Sequence, residues 1–385
     1  MHHLKKVFIN FLLFITLTIS LAYVFEVDYL LKAVKTIYLA GHKTAFLEDY
    51  REFDNRLVSK STIVQPWKIS KKYNIVKPTQ KLEAIHKQLG TVAFLIIKED
   101  SIWSENYYEG FDKSSKSNSF SMAKSFVSAA LGKAIMQRKI KSLDQHVSDF
   151  FPEFSAGLAS KLTVGDLSSM ASGLNWDESY YNPFSITTKA YFDDDLNKLI
   201  LGLKVIEQPG KKYKYLSGNT QLLAMVIEKA TKKNISKYIE DNFWQPLGAE
   251  NDALWQTDKK NGTEKAYCCF AGNARDFARL GKLYKQNGRW NGVSVLDSSF
   301  VATSTKARFK ASPEYGYGWW LHNYKSKKIF YMRGHLGQYV IIIPKDNLII
   351  VRLGNKTTIN KKGTAHGEDF FTYIDETYKM IKNDR

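Results

Sequence analysis

A serine and a lysine three residues apart are the pair of side chains in this sequence best suited to joint chemistry. Ser121 and Lys124 open residues 121–136, where apolar side chains recur at the spacing of a buried helix. Residues three apart share a helix face, so the Lys124 amine can reach the Ser121 hydroxyl. A desolvated lysine under a helix N-terminus can lose its proton near neutral pH and activate Ser121 as a nucleophile. The competing interpretation is that Ser121 merely caps the helix.

Two further stretches carry groups that a serine nucleophile needs. Acyl transfer requires a proton donor for the leaving group and N–H groups that hold the oxyanion. Tyr215 lies near a turn before a predicted helix, and it is either a second proton-transfer group or a core aromatic. His335 stands between Gly334 and Gly337 at the start of a predicted strand, where glycine allows a substrate to approach the backbone. It is otherwise an ordinary surface histidine.

Taken in this order, the stretches resemble the serine β-lactamase and penicillin-recognising hydrolase superfamily. That family has a Ser-x-x-Lys motif, then Tyr-x-Asn or Tyr-x-Ser, then Lys-x-Gly or His-x-Gly. The corresponding residues here begin at Ser121, Tyr215 and His335. The sequence is most similar to the branch of class C β-lactamases, D-alanyl-D-alanine carboxypeptidases, their esterase relatives and 6-aminohexanoate-dimer hydrolases. The resemblance extends over about 300 residues, 80–380.

The resemblance implies a role for each motif residue and no metal or organic cofactor. Ser121 would attack a carbonyl carbon while Lys124 accepts its proton. Tyr215 would pass a proton to the leaving group and later activate water. The backbone N–H groups of Ser121 and Gln338 would form the oxyanion hole. The other residues that we expect to contact the substrate are Tyr180, Ser217, His335 and Gly337, together with Gln338.

Two departures from the family pattern limit the choice of substrate. Ser217 stands where many β-lactamases have asparagine, and His335 stands where they have lysine. A neutral histidine holds a drug carboxylate weakly, so we expect a linear amide or ester as the small-molecule substrate. The alternatives are a peptidoglycan D,D-carboxypeptidase or weak β-lactamase, and a catalytically silent protein that binds the cell envelope.

The composition describes a globular protein with a basic surface. The chain has 385 residues, 44% of them hydrophobic, and a net charge of +18. The basic residues are scattered without an arginine-rich stripe or zinc-ligand spacing, so we do not expect nucleic-acid binding. An anionic membrane or envelope surface explains the charge better. The two cysteines, Cys268 and Cys269, are adjacent; such neighbours bond only with strain, and we expect two buried thiols.

The N-terminal residues predict a membrane segment. Residues 7–25 form an uncharged run of nineteen residues that follows Lys5 and Lys6. This length spans a bilayer, and the lysines place the N-terminus in the cytoplasm, so we expect an inner-membrane anchor with an extracytoplasmic, periplasmic domain. The alternative is a cleaved signal peptide, since Ser20 and Ala22 resemble a cleavage site. In both interpretations the rest of the chain is exported from the cytoplasm.

The predicted elements place strands at both ends of the main domain and helices in its middle. We expect an anchor or signal segment over 1–25, a connecting region over 26–78 and a hydrolase domain over 79–385. A helix at 80–89 and a hairpin at 91–108 precede the Ser121 helix. The later strands are predicted at 316–322, 329–334, 339–343 and 348–353, with a final helix at 369–381. This order indicates an α+β fold, an antiparallel sheet flanked by helices with a largely helical inserted subdomain.

Overall fold

The computed structural model describes residues 2–360 and 366–383. Its α-helices are α1 His2–Val24, α2 Tyr29–Ala33, α3 Gln80–Gln88, α4 Ala123–Met136, α5 Val164–Ser168, α6 Ile186–Phe192, α7 Leu196–Leu201, α8 Ser217–Thr231, α9 Ile235–Ile239, α10 Ala274–Lys285, α11 Ser298–Ser304 and α12 Glu368–Lys382. Its strands are β1 Asn55–Val58, β2 Lys68–Ile69, β3 Thr91–Lys98, β4 Ser101–Tyr107, β5 Ser117–Asn118, β6 Ala253–Gln256, β7 Phe270–Gly272, β8 Arg289–Trp290, β9 Val293–Ser294, β10 Trp320–Tyr324, β11 Lys327–Gly334, β12 Gln338–Ile343 and β13 Leu348–Gly354.

The main sheet has seven strands in the order β10-β11-β12-β13-β3-β4-β2, antiparallel except for the short parallel pair of β2 and β4. Strands from both ends of the chain therefore meet at β3, as predicted. Along β3 the side chains alternate between two cores. Phe94 and Ile96 pack in the core with α3 and α12, whereas Leu95 and Ile97 lie in the core that contains α4 and α10. Cover on both faces explains why β3 is apolar throughout.

Helix α4 lies in the larger core, beside α8 and α9, and its first residues are buried on every side. A helix enclosed in this way needs small or apolar residues all round rather than on one stripe. The sequence supplies them from Ala123 to Leu131, including Ala129 and Ala130. The α+β class and the largely helical insertion between the strands are confirmed.

A second sheet of four short strands, β1-β6-β7-β5, was not predicted from the sequence. Its strands have only two to four residues, too few for an alternating pattern to stand out. Its first strand comes from residues 26–78, which we had treated as a connection, and the same segment supplies β2 to the main sheet. The strand predicted at 316–322 begins instead at Trp320, because Gly318 has a φ of +75° and turns the chain.

Helix α1 has the length and composition of a membrane span or a signal sequence. The 22 residues from His3 to Val24 have Lys5 and Lys6 near their start and contain an apolar stretch with a mean hydropathy of 2.2, which the rest of the chain does not bury. Four residues separate α1 from α2, and a π-helical turn, Val34–Tyr38, continues α2. This second segment does pack on the protein: its Tyr29 and Ile37 form a small core with Phe53 and Phe192.

Candidate active site

Ser121 and Lys124 lie within hydrogen-bonding distance of each other, as their spacing predicts. Ser121 is in a 3₁₀ turn, Phe120–Met122, that leads into α4. The Nζ atom of Lys124 lies 2.9 Å from Ser121 Oγ and donates a second hydrogen bond of 2.8 Å to the Tyr267 carbonyl. Only 3% of Lys124 is exposed. The pair is therefore a partly exposed hydroxyl held against a buried amine.

Burial lowers the pKa of Lys124 to about 8, and the negative charge of Glu178 opposes this shift. The uncharged amine is favoured because the interior solvates a cation poorly. A large share of Lys124 is then neutral slightly above neutral pH, so it can accept the Ser121 proton.

The turn before Ser121 holds a strained backbone conformation. Phe120 has a φ of +46°, a region that aromatic residues rarely adopt. Its N–H donates to the Asn118 side chain at 2.8 Å, and Asn118 in turn donates to the buried Asp49 at 2.8 Å. This buried polar chain holds the turn that presents Ser121 to the cavity.

Tyr215 completes a cluster with Ser121 and Lys124. The Lys124 Nζ atom lies 5.0 Å from the centre of the Tyr215 ring. Burial, and secondly Glu178, raise the pKa of Tyr215, while a hydrogen bond with the Ser121 hydroxyl works against the rise. Tyr215 is therefore protonated at neutral pH, while a pKa of about 8 leaves only part of Lys124 uncharged there. Such opposite shifts in one site separate an acid from a base.

Glu178 is a member of the site that residue-by-residue reasoning did not single out. Its carboxylate accepts hydrogen bonds from the Ser217 N–H at 2.6 Å, the Ser217 hydroxyl at 2.7 Å and the Tyr180 hydroxyl at 2.5 Å. Ser217 is the first residue of α8, so the carboxylate also lies at a favourable helix N-terminus. Glu178 ends a stretch that matches the family, but its partner Ser217 lies 39 residues further on, and no local pattern links them.

His335 lies between two aromatic rings at the mouth of the site. Its ring stacks on Tyr180, with 5.6 Å between the ring centres and 17° between the planes, and meets Phe120 edge-on at 5.5 Å. Burial lowers the pKa of His335 to about 4, so the imidazole is neutral at physiological pH. It offers a stacking surface and a hydrogen-bonding group but no positive charge.

The end of β11 packs directly on the backbone that precedes Ser121. A Cβ atom on Gly334 would lie 2.2 Å from the Ser119 carbonyl oxygen, so only glycine fits there. Gly337 has a φ of +82° in the turn that follows. The Gln338 side chain donates a hydrogen bond of 2.7 Å to the Gly354 carbonyl, and this bond fixes the start of β12 beside the turn.

A cavity of about 400 Å³ opens above Ser121. Part of its lining consists of residues singled out from the sequence, and another part consists of α2 with the π-helical turn. The first group contains Ser121, Tyr180, Ser217 and His335, and the second contains Leu30, Ala33, Val34, Ile37 and Tyr38. The structure thus brings together the predicted side chains and adds a wall from the segment that follows α1.

Cys268 and Cys269 are joined by a disulfide, so the expectation of two buried thiols is wrong. Neighbouring side chains point to opposite faces in a strand, but the chain turns here and Cys269 has a φ of +70°. Cys268 lines the cavity, next to Tyr267, whose carbonyl accepts from Lys124. Within residues 2–360 and 366–383, no three His, Cys, Asp or Glu side chains are grouped as metal ligands.

Comparison with known proteins gives a consistent set of relatives. A family model described as Beta-lactamase matches residues 74–368. The 6-aminohexanoate-dimer hydrolase of Paenarthrobacter ureafaciens is 24% identical over 296 residues, which cover 71% of this chain and 75% of the relative. A Bacillus anthracis protein described as a 6-aminohexanoate-dimer hydrolase superposes with a TM-score of 0.70 at 20% identity, over 86% of this chain and 91% of that chain. A penicillin-binding protein of Bacillus halodurans superposes with a TM-score of 0.60 at 17% identity, over 76% and 98%. The two solved structures share the fold of this chain.

Proposed function

Because this chain belongs to the β-lactamase family, whose members are generally serine hydrolases, we propose that it cleaves a linear amide or ester through a covalent acyl-enzyme. The chain is related to 6-aminohexanoate-dimer hydrolase and to penicillin-binding proteins. The observation that carries the proposal is the 2.9 Å contact between Ser121 Oγ and a buried Lys124 whose pKa is lowered to about 8.

In the acylation step, neutral Lys124 takes the hydroxyl proton of Ser121 and Oγ bonds to the carbonyl carbon of the substrate. The backbone N–H groups of Ser121 and Gln338 hold the negative oxygen that develops. Tyr215, kept protonated by its raised pKa, donates a proton to the leaving nitrogen or oxygen as that bond breaks. Lys124 returns its proton to Tyr215, so the acyl-enzyme forms with no net change in the charges of the site.

In the deacylation step, water replaces the leaving group in the cavity. Lys124 and Tyr215 remove one proton from this water, and the resulting hydroxide attacks the ester carbon. The C–Oγ bond then breaks, and the proton returns to Ser121. The products are a carboxylic acid and the amine or alcohol released earlier.

The polar groups around Ser121 favour a neutral substrate. The Ser217 hydroxyl donates to Glu178 at 2.7 Å, so its lone pairs remain to accept from a substrate N–H. Neutral His335 and the Tyr180 ring offer a flat surface without the positive charge that a drug carboxylate requires. These contacts support a linear amide or ester over a β-lactam antibiotic.

We further propose that α1 anchors the enzyme in the inner membrane with the site outside the cytoplasm. The length and apolar composition of α1 support an anchor, and a cleaved signal peptide would export the site equally. The disulfide between Cys268 and Cys269 is in keeping with an oxidising compartment.

Hydrolysis of p-nitrophenyl acetate by the purified full chain tests the proposed chemistry. We expect a burst of one nitrophenol per chain followed by slower turnover, and we expect Ser121→Ala to abolish both. Ser125→Ala is the matched control, since Ser125 points to the Gly318 carbonyl at 2.6 Å and should cost stability rather than turnover. Turnover by Ser121→Ala at the wild-type rate would refute the assignment.

A further inference from the structure

One wall of the cavity that contains Ser121 is built by the segment that follows α1. Leu30, Ala33 and Val34 of this wall lie on α2 and the turn that continues it. The segment is attached to the protein rather than hanging beside it. The Tyr29 hydroxyl donates to the Pro183 carbonyl at 3.0 Å, and Lys32 donates to the Asp258 carbonyl at 2.8 Å.

The lining of this cavity is almost free of charge. Lys43 is the one lining residue with a charged side chain among those that the structure describes, since burial keeps His335 neutral. The remaining side chains are aliphatic, aromatic or hydroxyl-bearing, apart from the uncharged disulfide of Cys268. A volume of about 400 Å³ is within the range of pockets that enclose ligands of substantial size. Such a lining suits a hydrocarbon chain and disfavours a charged peptide or sugar acid.

The mouth of the cavity must lie close to the bilayer when α1 spans it. Only five peptide bonds separate Val24, the end of α1, from Tyr29, the start of α2. Consecutive Cα atoms are about 3.8 Å apart, so these two residues lie within about 20 Å of each other. Exposed apolar side chains surround the mouth: Tyr38 is 63% exposed and Tyr181 is 79% exposed, and both line the cavity. Exposed tyrosines beside an apolar opening are typical of a surface that contacts lipid headgroups.

We propose that the cavity holds the hydrocarbon chain of a fatty-acyl ester or amide, which enters from the membrane surface and places its carbonyl carbon at Ser121. The proposal rests on the serine hydrolase function proposed above and adds the class of its acyl group. Burial of the chain against α2 would contribute binding energy remote from the carbonyl, which an enzyme can use to orient the reacting bond.

A series of p-nitrophenyl esters, from acetate through octanoate, tests the acyl preference on the full chain in detergent. Each buried methylene can raise kcat/KM by about fourfold at most, so we expect the octanoate ester to exceed the acetate by about 100-fold when the chain is partly buried. No turnover of any ester would contradict the serine hydrolase function itself. Turnover of acetate with an octanoate-to-acetate ratio near one would contradict only the acyl preference.

Substitutions on α2 test whether this segment is the wall of the acyl site. Ala33→Trp fills the cavity and should lower the octanoate-to-acetate ratio of kcat/KM about tenfold or more, because the octanoyl group is then excluded. Leu31→Trp is the matched control on the same helix, since Leu31 is exposed and does not line the cavity. It should leave the ratio unchanged. If Ala33→Trp melts early, Val34→Trp replaces it; an unchanged ratio in the folded variant would overturn the proposal.

Presentation of the ester in vesicles tests the route of entry. We expect the full chain, reconstituted in phosphatidylcholine vesicles, to hydrolyse p-nitrophenyl palmitate in its own bilayer at least tenfold faster than the same ester held in separate vesicles. Equal rates would show that the ester reaches the site through water and would overturn entry from the membrane.

Discussion

Burial makes Lys124 costly as a cation and useful as a base. Its amine has two hydrogen-bond partners, Ser121 Oγ and the Tyr267 carbonyl, and its environment lowers its pKa to about 8. Glu178 lies close enough to oppose that shift, so the pKa is a balance between desolvation and one carboxylate. Replacing Glu178 should therefore shift the pKa of Lys124 in a known direction.

The pH dependence of kcat/KM should reflect this balance. Since the neutral form of Lys124 is the proposed base, the rate should rise with pH, level off above about 8, and fall tenfold for each pH unit below that value. Glu178→Gln removes the charge that raises the pKa of Lys124, so the rising limb should move to lower pH. Profiles of both proteins on one activated ester measure the shift.

His335→Asn is the control for that profile. The pKa of His335, lowered to about 4, is outside the range of the limb, so its replacement should leave the limb in place. A rising limb that moves in His335→Asn but stays in place in Glu178→Gln would show that the limb does not report the titration of Lys124.

Replacing members of the proton relay should cost activity without unfolding the protein. Tyr215→Phe keeps the ring and removes the oxygen, and a general acid–base group contributes about 10²–10⁴-fold in rate. Lys124→Arg keeps the charge and removes the base, so its loss should be at least as large. Because the two groups act on one hydroxyl, the double variant should resemble the worse single variant. Near wild-type turnover by Tyr215→Phe, with an unchanged melting temperature, would show that Tyr215 is a core aromatic residue and not a proton-transfer group.

At the level of elements, the site depends on β11 lying against the turn that holds Ser121. Gly334 permits this contact, because a Cβ atom there would lie 2.2 Å from the Ser119 carbonyl oxygen. This contact joins the sheet to the start of α4, so a shift of either element moves Ser121 away from the end of β11, which His335 follows.

Gly334→Ala should therefore lower kcat/KM on the order of 10²-fold, since a displacement of about 1 Å at a reacting group has that effect. Gly292→Ala is the matched control in the remote β8–β9 hairpin, where a Cβ atom meets nothing within 4 Å. Gly292 has a φ of +85°, so alanine at this position should lower the stability of the protein without lowering kcat/KM. Melting curves and kcat/KM for both variants separate the two effects. Equal loss of activity in both would contradict the positioning role.

The long elements could be predicted from the sequence, whereas the short ones and some contacts could not. Strand β3 and helix α4 have enough residues for their apolar patterns to be read, and both lie where we expected them. The small sheet and the link between Glu178 and Ser217 depend on partners distant in the chain, which no local pattern encodes. The disulfide of Cys268 was missed because it requires a local turn rather than a pattern of spacing.

The proposed membrane anchor and the candidate active site are connected by one short segment of the chain. Helix α1 is apolar and unburied, and α2 follows it directly into the wall of the cavity. A net charge of +18 suits a body held beside an anionic surface. If α1 anchors the protein as proposed, its orientation decides on which side of the membrane the proposed site works.

A reporter fused to the C-terminus tests that orientation. Lys5 and Lys6 precede the apolar run, so we expect a phosphatase that is active only outside the cytoplasm to be active in the fusion. A reporter active only in the cytoplasm should be silent at the same position. The reverse pattern would place the site in the cytoplasm.

The central claim, that Ser121 is the nucleophile, is tested most directly by mapping a covalent label. The full chain is treated with a fluorophosphonate, digested and analysed by mass spectrometry. We expect one adduct on the Ser121 hydroxyl, lost in Ser121→Ala and retained in Ser125→Ala. A label on any other residue, or an undiminished label in Ser121→Ala, would contradict it.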